Sequence, residues 1–144
     1  MRNFNLIACP KIISRGEWGA RPPKGAQIRL PLPVPYAVIH HGGDKAYCST
    51  RSSCAAVVRS YQNYHMNNKR WGDIGYNFVV GEDGNIYEGR GWNVMGAHAP
   101  AYNAQSIGIC IIGDFTDRLP NQAALRAVRQ LIQCGVELKK IQPG

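Results

Sequence analysis

The chain has 144 residues, of which 44% are hydrophobic, and its 17 Lys and Arg against nine Asp and Glu give a formal net charge of +8. This length predicts a single domain over 1–144, with enough apolar residues to form a core. No run approaches the roughly 18 apolar residues of a membrane-spanning helix, and the first ten residues are too short and too polar for a signal peptide.

The positive charge favours an anionic partner such as nucleic acid, acidic lipid or an acidic glycopeptide. The basic residues are scattered along the chain, and none of the standard nucleic-acid-binding motifs occurs. A soluble cationic surface is therefore the simplest interpretation of the charge. A basic nucleic-acid-binding domain remains an alternative.

The first half of the chain predicts an irregular segment, a strand and a helix. Residues 1–35 are rich in proline and glycine and predict an irregular N-terminal arm. The apolar run Tyr36–His40 then predicts a short buried strand. From Ser53 to Met66, apolar side chains recur at the spacing of one helix face, which predicts a helix with Ser52 or Ser53 as its N-cap.

A hairpin and a central strand follow. Asp83-Gly84 separates the apolar runs Asn77–Val80 and Ile86–Tyr87, a pattern that predicts a β-hairpin. Further along, Ser106–Ile112 is apolar on both faces and predicts a central strand. Helices that alternate with strands and one hairpin predict an α/β domain with a mixed sheet.

The last predicted element is a helix that opens at Asn121 and has Gly135 as its C-cap. Only nine residues follow Gly135, too few for another element that would cover the last face of the sheet. We therefore expect a chain that is incomplete at its C-terminus. The uncovered apolar face would invite self-association or a partner.

The five cysteines form no Cys-X-X-Cys pair, so a zinc ribbon or a thioredoxin-like site is not expected. Cys110 lies inside the apolar run Ser106–Ile112 and is expected to be a buried free thiol. The remaining four can form two disulfides in any of three pairings, which would imply an extracellular setting. These four are Cys9, Cys48, Cys54 and Cys134.

Histidine and tyrosine supply the candidate chemistry. Adjacent strand residues point to opposite faces, so at most one of His40 and His41 faces a given cleft. Tyr76 could donate a hydrogen bond to an oxyanion or simply pack as an aromatic. His65 and His98 could be ligands or surface residues, and no spacing in the chain supplies the three protein ligands of a catalytic zinc site.

Seven segments of the chain occur in the order found in a known family. Together they resemble animal peptidoglycan recognition proteins, relatives of phage-type amidases, from about Cys9 to Gly135. The segments are Trp18-Gly19-Ala20-Arg21, Val38-Ile39-His40-His41, Asp73-Ile74-Gly75-Tyr76-Asn77-Phe78, Gly81-Glu82-Asp83-Gly84, Ile86-Tyr87-Glu88-Gly89-Arg90-Gly91-Trp92, Gly96-Ala97-His98 and Ser106-Ile107-Gly108-Ile109.

The resemblance implies a central mixed β-sheet flanked by helices, with a long groove on one face. It also implies a secreted, antibacterial pattern-recognition protein of innate immunity that binds bacterial peptidoglycan fragments. By analogy with the family, Cys48 would pair with Cys54 and Cys9 with Cys134, leaving Cys110 free.

Amidase members of the family hold zinc with two histidines and a cysteine. The resemblance places the first ligand on His40 and the assisting tyrosine, which would steady the tetrahedral intermediate, on Tyr76. The other two ligands would come from beyond Gly144, so Zn²⁺ is expected only if the native chain completes the site. The resemblance thus implies a non-catalytic recognition module, or alternatively a zinc-dependent N-acetylmuramoyl-L-alanine amidase that cleaves the lactyl-L-alanine amide.

The resemblance also suggests how the groove reads the peptide stem. Members that prefer meso-diaminopimelate stems tend to carry Gly-Trp and an arginine, for which this chain has Arg70-Trp71 and Arg90. A guanidinium can hold the extra carboxylate of diaminopimelate with two hydrogen bonds. Gly42 stands where the family usually has Thr or Ser, so one hydroxyl contact is missing. The expected groove residues are His41, His65, Arg70, Trp71, Tyr76, Arg90 and His98.

Overall fold

A computed structural model of the protein describes residues 9–144, which form a five-stranded mixed sheet between helices. This confirms the α/β architecture predicted from the sequence. The strand order is β1-β4-β3-β5-β2, in which only β3 and β4 are antiparallel neighbours. The strands are β1 (Ile12–Ile13), β2 (Tyr36–His41), β3 (Phe78–Val80), β4 (Ile86–Glu88) and β5 (Ser106–Ile111), and the helices are α1 (Arg15–Trp18), α2 (Arg51–Asn67) and α3 (Gln122–Glu137).

The predicted hairpin joins β3 to β4. Its turn is closed by a hydrogen bond from Gly84 N to Gly81 O, and Gly84 adopts a φ of 81°, which costs glycine little. The carboxylate of Asp83 accepts a hydrogen bond from Asn85 N at 3.1 Å. Each residue type that signals the turn in the sequence therefore has a local structural role.

Alternation along the strands divides the core into two clusters, one on each face of the sheet. On β3, Phe78 and Val80 pack with α3, whereas Val79 packs with α2. On β5, Ile109 belongs to the α3 cluster, and Ile112, just beyond the strand, belongs to the α2 cluster. The central strands are buried on both faces, as their continuous apolar runs predict.

Strand β2 is the edge of the sheet, and this corrects the prediction of a buried strand. It pairs with β5 on one side alone, so its residues lack a second neighbour within the described fold. Tyr36 and Ile39 are 47% and 51% exposed. An apolar run identifies a strand, but it does not reveal the position of that strand in the sheet.

Two further corrections concern the helix ends. Helix α2 begins at Arg51 with Thr50 as its N-cap, because Thr50 and Ser53 exchange side-chain and backbone hydrogen bonds in a capping box. Helix α3 continues past Gly135 to Glu137. Gly135 serves close packing instead, since a Cβ there would lie 2.8 Å from the Trp92 ring.

The segment predicted as an irregular arm contains β1 and α1. Ser14 and Glu17 form a second capping box, with Ser14 N donating to the Glu17 carboxylate at 2.9 Å. The Trp18 side chain is buried and donates from Nε1 to Glu88 O. The spacing Ser14-X-X-Glu17 is the sequence signal of such a helix start, and the arm prediction overlooked it.

The structure contains both disulfides that the resemblance implies. Cys9 is joined to Cys134 and Cys48 to Cys54, and Cys110 is a buried free thiol. Within residues 9–144, no helix is long and apolar enough to span a membrane.

Candidate functional site

Five aromatic rings form a continuous row on the α2 side of the sheet. Neighbouring ring centroids lie 4.7 Å apart for Trp71 and His65, 5.6 Å for His65 and Tyr76, 5.7 Å for Tyr76 and His40, and 5.0 Å for His40 and His98. All five were predicted site residues, and they come from four separate parts of the chain. We call this row the ring row.

His40 and His98 are joined directly at the end of the ring row. Nε2 of His40 lies 2.8 Å from Nδ1 of His98, so one nitrogen donates and the other accepts. Burial, followed by the neighbouring charges of His40 and Arg90, lowers the pKa of His98 to about 4. Burial also lowers the pKa of His40. The pair is therefore uncharged at neutral pH and can offer both donors and acceptors.

The loop before β5 holds His98 in place. Asn103 Oδ1 accepts hydrogen bonds from the backbone N–H groups of His98 and Ala99 at 2.9 and 2.8 Å. Beneath the ring lies Gly108 of β5, where any Cβ would overlap the imidazole. A glycine at this central strand position is required by the close approach of His98.

His65 is buried on the inner face of α2. Its Nδ1 accepts a hydrogen bond from Gly75 N at 2.8 Å, so the remaining proton of the neutral ring resides on Nε2. Burial and the charges of Arg90 and Lys69 lower its pKa to about 4. His65 thereby fixes the segment that carries Tyr76 while its ring contributes to the ring row.

An ion pair also holds the segment that carries Tyr76. The Asp73 carboxylate lies 2.9 Å from Arg15 Nη1 and accepts hydrogen bonds from Gln62 Nε2 and Ile74 N. Gln62 and Asp73 are both buried, so their hydrogen bonds are not exchanged for bonds to water. This network fixes the chain between Trp71 and Tyr76 against α2.

Tyr76 stands at the centre of the ring row with its hydroxyl protonated. Burial raises its pKa, and the adjacent Cys110 thiol adds to the effect. Burial raises the pKa of Cys110 itself to about 12, so neither group is an anion at neutral pH. Tyr76 is therefore available as a hydrogen-bond donor, the property that the sequence analysis assigned to it.

Two hollows border the ring row. A cavity of about 440 Å³, which we call the α2 cavity, contacts Tyr76 and His65. A smaller hollow of about 240 Å³ lies beside Trp71 and His98. The α2 cavity is lined by Gly42, Asp44, Ser60, Tyr61, Tyr64, His65 and Tyr76.

Three predicted groove residues lie outside this row. His41 occupies the opposite face of β2, where its Nδ1 accepts a hydrogen bond from Phe115 N, because strand neighbours alternate. Arg70 is exposed and has a φ of 61°. Arg90 donates from Nε to Ile74 O and from Nη1 to Met95 O, so two of its guanidinium nitrogens hold the backbone.

Comparison with known proteins identifies the family. The model of the N-acetylmuramoyl-L-alanine amidase family matches residues 30–144. Peptidoglycan recognition protein 1 of Bos indicus is 44% identical over 94% of this chain and 71% of its own length. The chain belongs to the peptidoglycan recognition protein family.

A solved structure and a second relative are similar to this chain to the same degree. The crystal structure of peptidoglycan recognition protein-LE in complex with tracheal cytotoxin superposes with a TM-score of 0.89 at 44% identity, covering 91% of this chain and 76% of that one. The N-acetylmuramoyl-L-alanine amidase of Sus scrofa is 45% identical over 96% of this chain. The chain spans only 23% of the length of that amidase.

Zinc is the metal that the amidase members of the family imply. Across residues 9–144, the structure brings together no three His, Cys, Asp or Glu side chains that could hold a metal ion. His40, the one predicted ligand, directs its Nε2 at His98. These residues alone do not fit a catalytic zinc ion, which needs three protein ligands.

Two tyrosines that line the α2 cavity were not predicted as site residues. Tyr61 and Tyr64 were read only as part of the apolar spacing of a helix, yet both line the α2 cavity. They lie at positions i and i+3 of one helix face with His65 at i+4. Phenol and imidazole tips sharing one helix face are the signal that could have identified them.

Proposed function

We propose that this chain is a recognition module that binds bacterial peptidoglycan fragments in innate immunity. The observation that carries the proposal is the ring row, which joins two hollows through uncharged donors and acceptors. The solved complex of the 44% identical protein-LE with tracheal cytotoxin, described as a monomeric diaminopimelic acid-type peptidoglycan, supports it. The two disulfides support an extracellular site of action.

The chemistry of the groove suits a sugar-linked peptide. Such a ligand presents amides and hydroxyls, which need neutral partners at short range, and methyl or ring CH groups, which pack on aromatic faces. His65 and His98 are neutral at physiological pH, and Tyr76 is a protonated phenol. A groove for nucleic acid would instead need cationic groups along the phosphate backbone.

A preference for diaminopimelate stems is the finer part of the proposal. Arg90 Nε and Nη1 are bound to backbone carbonyls, and Nη2 has no hydrogen-bond partner within residues 9–144. The fixed guanidinium lies close enough to lower the pKa values of both His65 and His98. It could present one N–H to the second carboxylate of diaminopimelate.

The adjacent residues His40 and His41 offer a matched test of binding. Wild type, His40→Ala and His41→Ala are sedimented with insoluble sacculi and titrated calorimetrically with a purified muropeptide. We expect His40→Ala to weaken binding by about tenfold or more, as for a central contact residue, and His41→Ala to bind like wild type. Wild-type protein that remains in the supernatant would refute the proposal.

The stem preference has its own test. The affinities of wild type, Arg90→Lys and Arg90→Ala for a diaminopimelate muropeptide are compared with those for its lysine counterpart. We expect Arg90→Lys to lose the preference, because an ammonium lacks the planar fork that binds Ile74 O and Met95 O and still directs an N–H at the ligand. Thermal melts of each variant check the backbone contacts, and an unchanged preference in folded protein would contradict the role of Arg90.

An amidase is the second candidate, favoured by the proximity of His40 to Tyr76 and by the family to which the chain belongs. His40 would be one of the three protein ligands that a catalytic zinc ion needs, and the ion would supply Lewis-acid chemistry at the scissile amide. Release of stem peptide from sacculi, measured with and without a chelator, tests this activity. Chelator-sensitive release by wild type, lost in Tyr76→Phe, would establish it.

A further inference from the structure

Lys69 places an ammonium at the rim of the groove, next to both of its hollows. Its Nζ lies 5.9 Å from the ring centroid of Tyr64 and 5.9 Å from that of Trp71. Tyr64 lines the α2 cavity, and Trp71 lines the hollow beside His98. An ammonium is attracted to an aromatic face at this distance, so the two rings favour a position of the Lys69 side chain at the rim.

The end of α2 fixes the backbone from which the Lys69 side chain projects. Lys69 N donates a hydrogen bond to Tyr64 O at 3.2 Å. Arg70 follows with a φ of 61°, the left-handed conformation that ends many helices. The chain then turns, and Trp71 N donates to His65 O at 3.0 Å. Lys69 is therefore tied to the helix turn that presents Tyr64 and His65 to the groove.

The charge of Lys69 has no anionic partner in the protein. Lys69 takes part in no ion pair within residues 9–144. Residues 45–72 include five Lys and Arg and no Asp or Glu. Burial is the first cause that lowers the pKa of His65, and the charges of Arg90 and Lys69 follow, so the Lys69 charge acts on the ring row. The ammonium is available to pair with an anionic group of a ligand.

We propose that Lys69 is a specificity-determining residue that recognises a free carboxylate of the stem peptide. This inference rests on the proposed function. In a muropeptide, the lactyl carboxyl group of the sugar is consumed in the amide to the peptide, so the free carboxylates belong to the stem. An ammonium pairs with a carboxylate as a point charge and does not need the planar approach of an arginine. Lys69 therefore distinguishes a stem with a free carboxylate from one whose carboxyl group is amidated.

This role is separate from that of Arg90. Arg90 is proposed to read the second carboxylate that diaminopimelate carries, and its Nε and Nη1 are bound to Ile74 O and Met95 O. A lysine-type stem lacks that second carboxylate. A ligand of the lysine type therefore isolates the contribution of Lys69 from the preference assigned to Arg90.

The test compares two ligands that differ in a single charge. The first is a muramyl tripeptide with isoglutamine second and lysine third, whose one free carboxylate is the terminal one. The second is the C-terminal amide of the same compound. Wild type, Lys69→Gln and Lys69→Arg are titrated calorimetrically with both. Arg129→Gln removes the same charge from an exposed position of α3, on the opposite face of the sheet, and is the control.

We expect wild type to bind the acid about two- to fivefold more tightly than the amide, as for an exposed ion pair. Lys69→Gln should bind both ligands equally, whereas Lys69→Arg and Arg129→Gln should keep the preference. Wild type that binds acid and amide alike would overturn the inference. An equal loss of affinity for both ligands in Lys69→Gln, with the preference retained, would also overturn it, because Lys69 would then have only a structural role at the end of α2.

A second measurement separates the two levels of the argument for wild type alone. The resonances of the Lys69 ε-methylene group should shift on addition of the acid and shift less on addition of the amide, and equal shifts would contradict the contact. Failure of the proposed function gives a different result, since wild type would then bind neither ligand. Thermal melts verify that each variant is folded.

Discussion

The hydroxyl of Tyr61 occupies the space that a side chain at position 42 would fill. A Cβ built on Gly42 would overlap the Tyr61 phenol, and this hydroxyl is buried without a hydrogen-bond partner within the described residues. The missing hydroxyl at position 42, noted in the sequence, is thus matched by a phenol that reaches from α2 over the same site. Gly42 and Tyr61 together shape the wall of the α2 cavity.

Because the Tyr61 hydroxyl fills the space beside Gly42, the effects of substitutions at these two positions on stability should be coupled. Gly42→Thr should lower the free energy of unfolding by about 1–3 kcal/mol, because the added side chain collides with a packed ring. Combining it with Tyr61→Leu should recover at least about 0.5 kcal/mol relative to the sum of the single variants. Urea unfolding of the four proteins measures the coupling. Tyr64→Leu, at an exposed α2 position, serves as the uncoupled comparison, and additivity at both positions would contradict the fit.

His65 predicts a loss of stability in mild acid. Its pKa falls from 6.5 to about 4 in the folded protein, so the unfolded chain binds the proton more readily. The stability it contributes is complete above pH 6.5 and declines as the pH falls toward 4. His65→Asn keeps a short acceptor for Gly75 N and removes the titration. Urea unfolding at about pH 7 and about pH 5 should show a smaller pH dependence in this variant, and equal slopes would argue against the assignment.

Gly108 predicts a defect in the groove from a change inside the sheet. Gly108→Ala would drive a methyl group into the His98 ring and break its contact with His40. We expect about 1–3 kcal/mol of destabilisation and at least a tenfold loss of muropeptide affinity. Gly16→Ala, whose Cβ meets nothing within 4 Å, is the control. Unaltered imidazole resonances of His98 in the alanine variant would refute the prediction.

The two disulfides should differ in their contributions. The partners Cys9 and Cys134 are 125 residues apart, whereas Cys48 and Cys54 are six apart. In the chain-entropy model, removal of the long link costs about 5 kcal/mol and removal of the short one about 2 kcal/mol. Serine double variants compared by denaturant unfolding measure both costs. The reverse order would show that native-state interactions outweigh loop entropy.

Local sequence patterns predicted the presence of the helices and strands better than their burial and packing partners. Asp83-Gly84 and the helical spacing before Met66 specify structure through nearby residues, so both predictions are confirmed. The exposure of β2 and the role of Gly135 depend on distant partners, such as β5 and Trp92, that no local pattern reveals. The sequence therefore favoured a buried strand and a helix end at those two places.

The same limit applies to the candidate site, which brings together residues that are distant in the sequence. The spacing of His40, Tyr76 and His98 in the sequence did not predict that these residues lie together. Only the family resemblance placed them in one groove. Their proximity arises because β2, the segment before β3 and the loop before β5 converge in the folded domain. The contact between the Tyr36 and Tyr102 rings was not predicted either, because these two residues are far apart in the sequence.

The uncharged ring row in a chain of net charge +8 separates the way a ligand arrives from the way it is held. Long-range attraction of an acidic cell-wall polymer is a property of the whole surface and weakens as added salt shortens the Debye length. Contacts with neutral imidazoles and aromatic faces act over a few ångströms and are barely screened. Ionic strength should thus change the encounter rate while leaving the residence time nearly constant.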